Sequence, residues 1–319
     1  MMFFSRALIL WSLLVVLLFS CAKDEQDYGQ IWVQLPTQLD LQGLTFVSRD
    51  TGYAVAGGHF TEGMVFETTD GGLSWDTFLV LNRGATSISQ DGQKVHYCEA
   101  GNRFTSFNRN GQIEHKTTTG WWSWHAHHQL NSGKFMVAGG YNFANGFIHI
   151  MDPNGSFMLR DTFLRELRDV EVTSDGRVHL CGYGLYLYSD DEGQNWNIQN
   201  IQGDFYRGMD FVDNEHGYML GEYGSVYKTD NGGADWVNCR LGNSVFADQE
   251  KLMRDIAFRD LDRGYIVGTG NELYSTLDAG SSWAKIDNTE QADFLKIDIF
   301  YDKAFLSCNS GRMLILNLP

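Results

Sequence analysis

Proline, positive charge and long apolar runs are all scarce in this sequence. The chain has 3 Pro and 35 Gly in 319 residues, which excludes collagen-like and proline-rich linker classes. Hydrophobic residues make up 43% and charged residues 20%, a balance that excludes a disordered chain. The chain has 24 Lys and Arg against 40 Asp and Glu, so its net charge is −16. A negative charge of this size opposes binding to the phosphate backbones of nucleic acids. We therefore expect no nucleic-acid partner.

The apolar run near the N-terminus is too short to cross a membrane. It follows Arg6 and covers residues 7–20, whereas a spanning helix needs about 20 apolar residues. This pattern is typical of a secretory signal peptide, which we assign to residues 1–20. The run ends in Leu18-Phe19-Ser20-Cys21, which resembles the lipobox of bacterial lipoproteins. The resemblance implies that Cys21 becomes the acylated N-terminus; the alternative is plain cleavage with Cys21 unmodified.

An acidic segment follows the cysteine. Residues 21–30 include Asp24, Glu25 and Asp27 and resemble the tether of surface-exposed lipoproteins. Ala22 stands where inner-membrane retention signals have Asp. The resemblance implies an outer-membrane lipoprotein of the cell envelope, exposed at the cell surface, and several acyl chains would make this anchor lasting. A periplasmic orientation stays open as an alternative.

Four segments share the pattern Ser/Thr-x-Asp/Asn-x-Gly-x-x-Trp, at residues 68–75, 189–196, 229–236 and 276–283. Asp or Asn caps such a turn by accepting backbone N–H groups, glycine supplies a positive φ, and the Trp covers the hairpin. We interpret these residues as structural rather than catalytic. They are Asp70, Trp75, Asp191, Trp196, Asn231, Trp236, Asp278 and Trp283. The segments resemble Asp-boxes, the hairpins of bacterial neuraminidase repeats.

A longer period runs through the whole chain. Inner strands are predicted to start near Gln42, Arg83, His125, Arg168, Arg207, Arg254 and Leu295. Each interval holds four short strands, as a propeller blade does. The seventh lacks its outer strand, which residues 31–35 can supply. The sequence therefore predicts an all-β fold over residues 31–319, a seven-bladed β-propeller of four-stranded blades closed by the N-terminal strand.

The second strand of several blades opens with Gly-Tyr, as at Gly52-Tyr53, Gly217-Tyr218 and Gly264-Tyr265. Together with the Asp-boxes and the seven blades, this resembles the photosystem II stability/assembly-factor propeller family. The resemblance covers almost the whole mature chain. It implies a chaperone-like propeller that holds a protein partner through an arginine cluster, and it specifies the fold better than the function.

Cationic residues recur at the opening of the inner strands. The candidate partner-binding residues are Arg168, Arg207 and Arg254 at one register, Arg83 one place out of register, and His125 in blade three. Cations that converge on one mouth repel one another unless they are paired or accept an anion. The alternative is that Asp169, Asp210 and Asp255 neutralise the arginines in structural pairs.

Aromatic residues and histidines crowd the segment 121–128, Trp-Trp-Ser-Trp-His-Ala-His-His. Trp122 and Trp124 are candidates for stacking on sugar rings or for anchoring a protein partner. The alternative is aromatic packing between blades. His125 and His127 could contribute to a metal site, but no third ligand follows from the spacing, so we predict neither a metal nor a cofactor.

Motifs for catalysis are missing. Sialidases with Asp-boxes carry an early Arg-Ile-Pro motif, whereas the prolines here are Pro36, Pro153 and Pro319. No serine nucleophile elbow or phosphate-cradling loop is present. We therefore expect a non-enzymatic, lipid-anchored cell-surface propeller that acts as an assembly-factor-like scaffold for an unidentified protein partner. The alternatives are a surface glycan-binding module and a diverged sialidase-like glycosidase.

Overall fold

A computed structural model describes residues 28–58, 62–108, 111–152, 156–201, 203–240 and 251–318. The chain forms seven antiparallel sheets of four strands each within these ranges. Blade 1 consists of β2 (Leu41–Phe46), β3 (Gly52–Gly57), β4 (Gly63–Thr68) and β5 (Asp76–Leu81). Blade 2 consists of β6 (Ala85–Gln90), β7 (Lys94–Glu99), β8 (Gly101–Asn108) and β9 (Ile113–Trp122). Blade 3 consists of β10 (Trp124–Gln129), β11 (Phe135–Tyr141), β12 (Asn145–Met151) and β13 (Phe157–Phe163).

The second half of the described chain repeats the arrangement. Blade 4 consists of β14 (Leu167–Val172), β15 (Val178–Gly182), β16 (Leu185–Ser189) and β17 (Asn197–Gln199). Blade 5 consists of β18 (Tyr206–Phe211), β19 (Gly217–Gly221), β20 (Val226–Thr229) and β21 (Val237–Arg240). Blade 6 consists of β22 (Met253–Phe258), β23 (Gly264–Gly268), β24 (Glu272–Thr276) and β25 (Ala284–Lys285). Blade 7 consists of β26 (Phe294–Phe300), β27 (Lys303–Cys308), β28 (Arg312–Asn317) and the N-terminal β1 (Gln30–Gln34), with a 3-10 turn at Asn309–Gly311.

The predicted seven-bladed propeller is confirmed, and so is its closure. β1 pairs antiparallel with β28, from Gln30 beside Leu316 to Gln34 beside Arg312. The fold begins slightly before the predicted boundary, because the buried ring of Tyr28 packs edge-on against Tyr265 of blade 6 at 6.0 Å. The predicted signal peptide, the predicted lipidation site Cys21 and most of the predicted tether lie outside the described residues. No helix in the described part of the chain could cross a membrane.

The second strand of each blade lies at the centre of the packing between blades. β3, β15, β19 and β23 are buried at every position, because both faces of these strands contact a neighbouring sheet. Aromatic rings fill the space between blades. Tyr218 of blade 5, for example, stacks on Phe258 of blade 6 with the ring centroids 3.5 Å apart. The Gly-Tyr pattern seen in the sequence supplies these rings.

The four Asp-boxes form the turns between the third and fourth strands. In the first box, Asp70 Oδ1 accepts the N–H of Ser74 at 2.9 Å and Thr68 Oγ1 accepts the N–H of Gly72 at 2.9 Å. The equivalent side chains in the other boxes accept an N–H in the same way. These contacts are Asp191 with Asn195, Asn231 with Asp235, and Asp278 with Ser282. The box carboxylates are thus engaged by their own turns.

Trp75 closes the first box, and its removal gives a stability test. The side chain is 6% exposed, lies edge-on to Phe46 at 6.3 Å, and donates from Nε1 to the carbonyl of Gly72 at 3.0 Å. We expect Trp75→Ala to lower the free energy of unfolding by about 3–5 kcal/mol. Leu73→Ala, at a half-exposed position of the same turn, should change it by about 0.5 kcal/mol or less. Urea denaturation measures both, and equal effects would contradict the structural role of the Trp.

Candidate functional site

A bulge at the second residue of the inner strand occurs in all seven blades. The pairing between the first and second strands shifts by one residue at that point in each sheet. A bulge leaves one residue outside the ladder and redirects its side chain. The seven bulged residues line one end of the central channel, around a cavity of about 240 Å³ that we call the mouth. They are Gln42, Thr86, His125, Arg168, Arg207, Arg254 and Leu295.

The mouth corrects one of the sequence predictions. Arg83 lies two residues before β6 and does not line the mouth, whereas Thr86 takes the blade 2 position. Before β6, Gly84 packs closely against the backbone of Gly57 and Gly58. The bulge of blade 2 then falls at Thr86, three residues after the arginine. Four of the five predicted cationic residues, His125, Arg168, Arg207 and Arg254, do converge.

The arginines of the mouth pair with glutamates rather than with the predicted aspartates. Arg168 Nη2 lies 2.5 Å from Glu166 Oε1, which also lies 3.0 Å from His125 Nε2. Arg207 Nη2 and Arg254 Nη1 share Glu222 Oε1 at 2.7 and 3.6 Å. Sequence reasoning missed both glutamates because they stand outside the strands, in a blade connection and in a turn.

The aspartates have a different role, which is to link neighbouring blades. Asp169 of blade 4 accepts the N–H of Met209 in blade 5 at 2.9 Å. Asp255 of blade 6 accepts the N–H of Ile297 in blade 7 at 3.0 Å. Asp210 of blade 5 likewise accepts the N–H of Phe258 in blade 6. The expectation that Asp169, Asp210 and Asp255 neutralise the arginines is therefore wrong.

The mouth keeps an excess of positive charge and of hydrogen-bond donors. Three arginines face two glutamates, and the Nε atoms of Arg207 and Arg254 are buried without a hydrogen-bond partner. Burial, followed by the charge of Arg207, lowers the pKa of Arg168 to about 10 and also lowers that of Arg254. The arginine side chains remain 19–26% exposed, so an anion in the mouth can reach them. The arrangement is suited to an anion such as a carboxylate.

The channel beneath the mouth is acidic. A cavity of about 410 Å³ is lined by five carboxyl groups and by Lys296. Burial raises the pKa of Asp210 to about 7 and that of Asp298 to about 8, and it also raises the pKa values of Asp169, Glu171 and Asp255. Asp210 and Asp298 therefore retain a proton over much of the neutral pH range.

The raised pKa values predict a pH-dependent stability. A carboxyl group whose pKa is raised on folding stabilises the fold at low pH, and this contribution disappears as the pH rises through the folded-state value. For Asp298 the loss is complete above about pH 8. We expect Asp298→Asn to raise the free energy of unfolding at pH 9 by about 1–3 kcal/mol and to change it little at pH 4, close to the unfolded-state pKa of 3.8. Urea titrations at both pH values test this prediction, with Asp302→Asn at an exposed position as the control. An effect of Asp298→Asn that does not depend on pH would contradict the prediction.

Trp124, one of the two aromatic candidates, does not belong to an exposed binding platform. Trp124 is fully buried and stacks on Phe157 with the ring centroids 5.4 Å apart, so its proposed contact with sugar rings is wrong and the packing alternative holds. Trp122 belongs to the last strand of blade 2, and its side chain lies outside the described residues. His127 lies between the hydroxyls of Ser87 and Ser89, each 2.7 Å away. No group of three or more His, Cys, Asp or Glu in the described chain could hold a metal ion.

The geometry defines the class of the protein as a seven-bladed β-propeller with a cationic mouth. The family model for photosynthesis system II assembly factor YCF48 matches residues 202–291, which cover blades 5 and 6. The structure of YCF48 bound to a D1 peptide covers 93% of this chain and 96% of its own, with a TM-score of 0.72 and 18% identity. The structure of YCF48 from Cyanidioschyzon merolae covers 90% of this chain and 98% of its own, with a TM-score of 0.69 and 17% identity. The chain is thus a propeller similar to the photosystem II assembly factors, as its sequence predicted.

Propellers with other activities share the architecture. Virginiamycin B lyase from Staphylococcus aureus covers 92% of this chain and 100% of its own, with a TM-score of 0.76 and 10% identity. Structural similarity at 10% sequence identity establishes a shared fold. It says nothing about catalysis, which depends on the residues of the site. The comparison with curated protein sequences found none that matches this chain significantly.

Proposed function

We propose that the protein is a non-enzymatic, lipid-anchored propeller of the cell surface that acts as an assembly-factor-like scaffold, and that its mouth binds an acidic group of a protein partner. The observation that carries the proposal is the set of three converging arginines, whose side chains remain 19–26% exposed at the mouth. A carboxylate that enters the mouth would form strong charge-assisted hydrogen bonds with these guanidinium groups.

A protein is the partner that the comparisons favour. One similar propeller was solved with a D1 peptide bound, so this architecture can accept a peptide. A mouth of about 240 Å³ admits one side chain or a chain terminus rather than a folded domain. The burial of Trp124 weakens the alternative of a surface glycan-binding module.

The direction of β1 supports an outward-facing mouth. β1 ends beside the turn at Gly311, where the N–H of Leu35 donates to the carbonyl of Gly311 on the mouth side. Its start, next to Tyr28, therefore lies at the opposite face of the ring. A lipid on Cys21 would be at most about 25 Å of extended chain from Tyr28. The anchor would then enter from the face that turns away from the arginines.

Affinity capture from detergent-solubilised membranes tests the proposed partner binding. The bait is the full chain, compared with the R168Q/R207Q/R254Q variant. A matched control, R49Q/R177Q/R263Q, removes three arginines from turns at the opposite face. We expect the first variant to lose a partner that both wild type and control retain, with thermal unfolding used to establish that all three are folded. Equal capture by all three would contradict the proposal.

Lipid attachment has its own test. Cells fed an alkyne fatty acid should label the wild-type chain and leave Cys21→Ser unlabelled, and external protease should digest the anchored propeller on intact cells. Labelling of both forms, or none of either, would remove the anchor from the proposal. Protection from the protease in intact cells would place the propeller in the periplasm.

A further inference from the structure

Four aromatic side chains form a row over blades 3 to 5, on the same face as the mouth. Phe143 lies in the turn between β11 and β12, Tyr183 between β15 and β16, Phe205 just before β18, and Tyr223 between β19 and β20. The ring centroids of Tyr183 and Phe205 lie 4.0 Å apart. Phe205 also contacts Phe143 at 5.3 Å and Tyr223 at 6.1 Å. We call these four residues the aromatic row.

The aromatic row remains partly open to solvent. Phe143 is 52% exposed and Tyr183 39% exposed, and Phe205 and Tyr223 are half-buried. Leu164, which is 91% exposed, lies two residues before Glu166 in the neighbouring blade connection. A contiguous apolar surface of this kind, next to charged residues, marks an interaction site more often than scattered apolar residues do.

The aromatic row is tied to the mouth through the same glutamates that hold the arginines. Glu166 accepts the N–H of Phe143 on Oε2 at 2.8 Å, and its carbonyl accepts the N–H of Tyr183 at 2.9 Å. Glu222 donates its N–H to the carbonyl of Phe205 at 2.7 Å. Phe143 is held at a φ of 59°, a left-handed conformation that is unusual for this residue type. The structure therefore fixes apolar rings and cations at a constant separation.

The geometry points to one extended site that combines the aromatic row with the mouth. We propose that the site binds a segment of a partner protein in which a carboxylate enters the mouth and adjacent apolar side chains pack on the aromatic row. This inference rests on the proposed function and specifies the partner's chemistry. From Phe143 through Phe205 to Tyr223, the row spans the length of about three extended residues, so two apolar side chains close to the carboxylate fit it.

The arrangement of the rings favours a peptide over a sugar. Phe205 meets Phe143 and Tyr223 at interplanar angles of 72°, so ring edges cover ring faces. A sugar stacks on an open aromatic face, whereas aliphatic and aromatic side chains fill the notches between tilted rings. The charge of the mouth is complementary to an acidic segment, whereas the chain as a whole, with a net charge of −16, repels one.

A random decapeptide library displayed with free carboxyl termini tests the combined site. Selection on the full chain should enrich peptides that have a carboxylate and two apolar residues near it. F143N/Y183S, in which Asn suits the left-handed turn, should still select acidic peptides but lose the apolar preference. Its affinity for the best wild-type peptide should fall at least roughly tenfold. Leu277→Ser, equally exposed on the opposite face, is the control and should behave as wild type.

The outcomes separate this inference from the function on which it rests. If R168Q/R207Q/R254Q binds the selected peptides as tightly as wild type does, the proposed function fails. If F143N/Y183S keeps the apolar preference while the arginine variant loses binding, only the aromatic row is overturned. The row is also overturned if no peptide is enriched and either a glycan array is bound or the chain self-associates through Phe143 and Tyr183.

Discussion

Removal of β1 is expected to abolish cooperative folding. Its five residues pair with β28 from Gln30 to Gln34, and its loss would open an edge along residues 313–316, which are fully buried. Val33 and the neighbouring Leu35 are also buried. Each such side chain contributes about 1.5–3 kcal/mol, and lost strand pairing adds to this, against a typical total stability of about 5–15 kcal/mol. The ring therefore depends on one short segment far from its partner in sequence.

Thermal and urea denaturation would measure this effect. A variant that starts at Tyr28 keeps β1 and is the control, while a variant that starts at Pro36 lacks it. A peptide covering residues 28–35, added in trans, should restore a cooperative transition in the shorter variant, because a missing strand can be supplied from outside. An unchanged transition in the variant without β1 would contradict ring closure as the source of stability.

Replacing Arg207 and Arg254 should have the largest effect on binding. In R207Q/R254Q/E222Q, all three charged residues of one cluster become neutral, so no buried glutamate is left alone. Buried ion pairs replaced as a set often cost little stability, whereas a lost contact to a buried charge costs about 2–5 kcal/mol of binding. We expect near wild-type stability and partner affinity lower by roughly a hundredfold.

The single variant Glu222→Gln makes this result interpretable. It removes the anion shared by both arginines and keeps the two cations. We expect lower stability and retained or tighter binding, measured by calorimetric melting and by titration with the captured partner. If Glu222→Gln and the triple variant lose affinity equally, the arginines serve the fold and not the partner.

The fold could be predicted from the sequence because each blade repeats the same local signals. Asp70 with its Gly and Trp specifies one hairpin, and three further copies specify the period. Gly-Tyr pairs such as Gly217-Tyr218 mark the buried second strand. These signals are local, and the closure by β1 follows because the last blade lacks one strand. Repeats that stabilise only each other leave little freedom in the architecture.

The mouth could be predicted only in part, because bulges and turns set its geometry. The shared register of Arg168, Arg207 and Arg254 was visible in the sequence, whereas the position of Thr86 depends on a bulge that no residue type announces. Glu166 and Glu222 stand outside the strand pattern, so their approach to the arginines follows only from the three-dimensional ring. The aromatic row could not be predicted from the sequence for the same reason, because its members come from separate turns and connections.

Site-specific photo-crosslinking tests the central claim, that the mouth holds a protein partner. A photoreactive amino acid placed at Gln42 or Thr86 reports on the mouth without altering an arginine, and one at Leu277 reports on the opposite face. In intact cells, we expect one crosslinked partner band at the two mouth positions and no band at Leu277. The mouth bands should disappear when R168Q/R207Q/R254Q is combined with the photoreactive residue in the same chain. The same band at Leu277, or a mouth band that survives loss of the arginines, would contradict the claim.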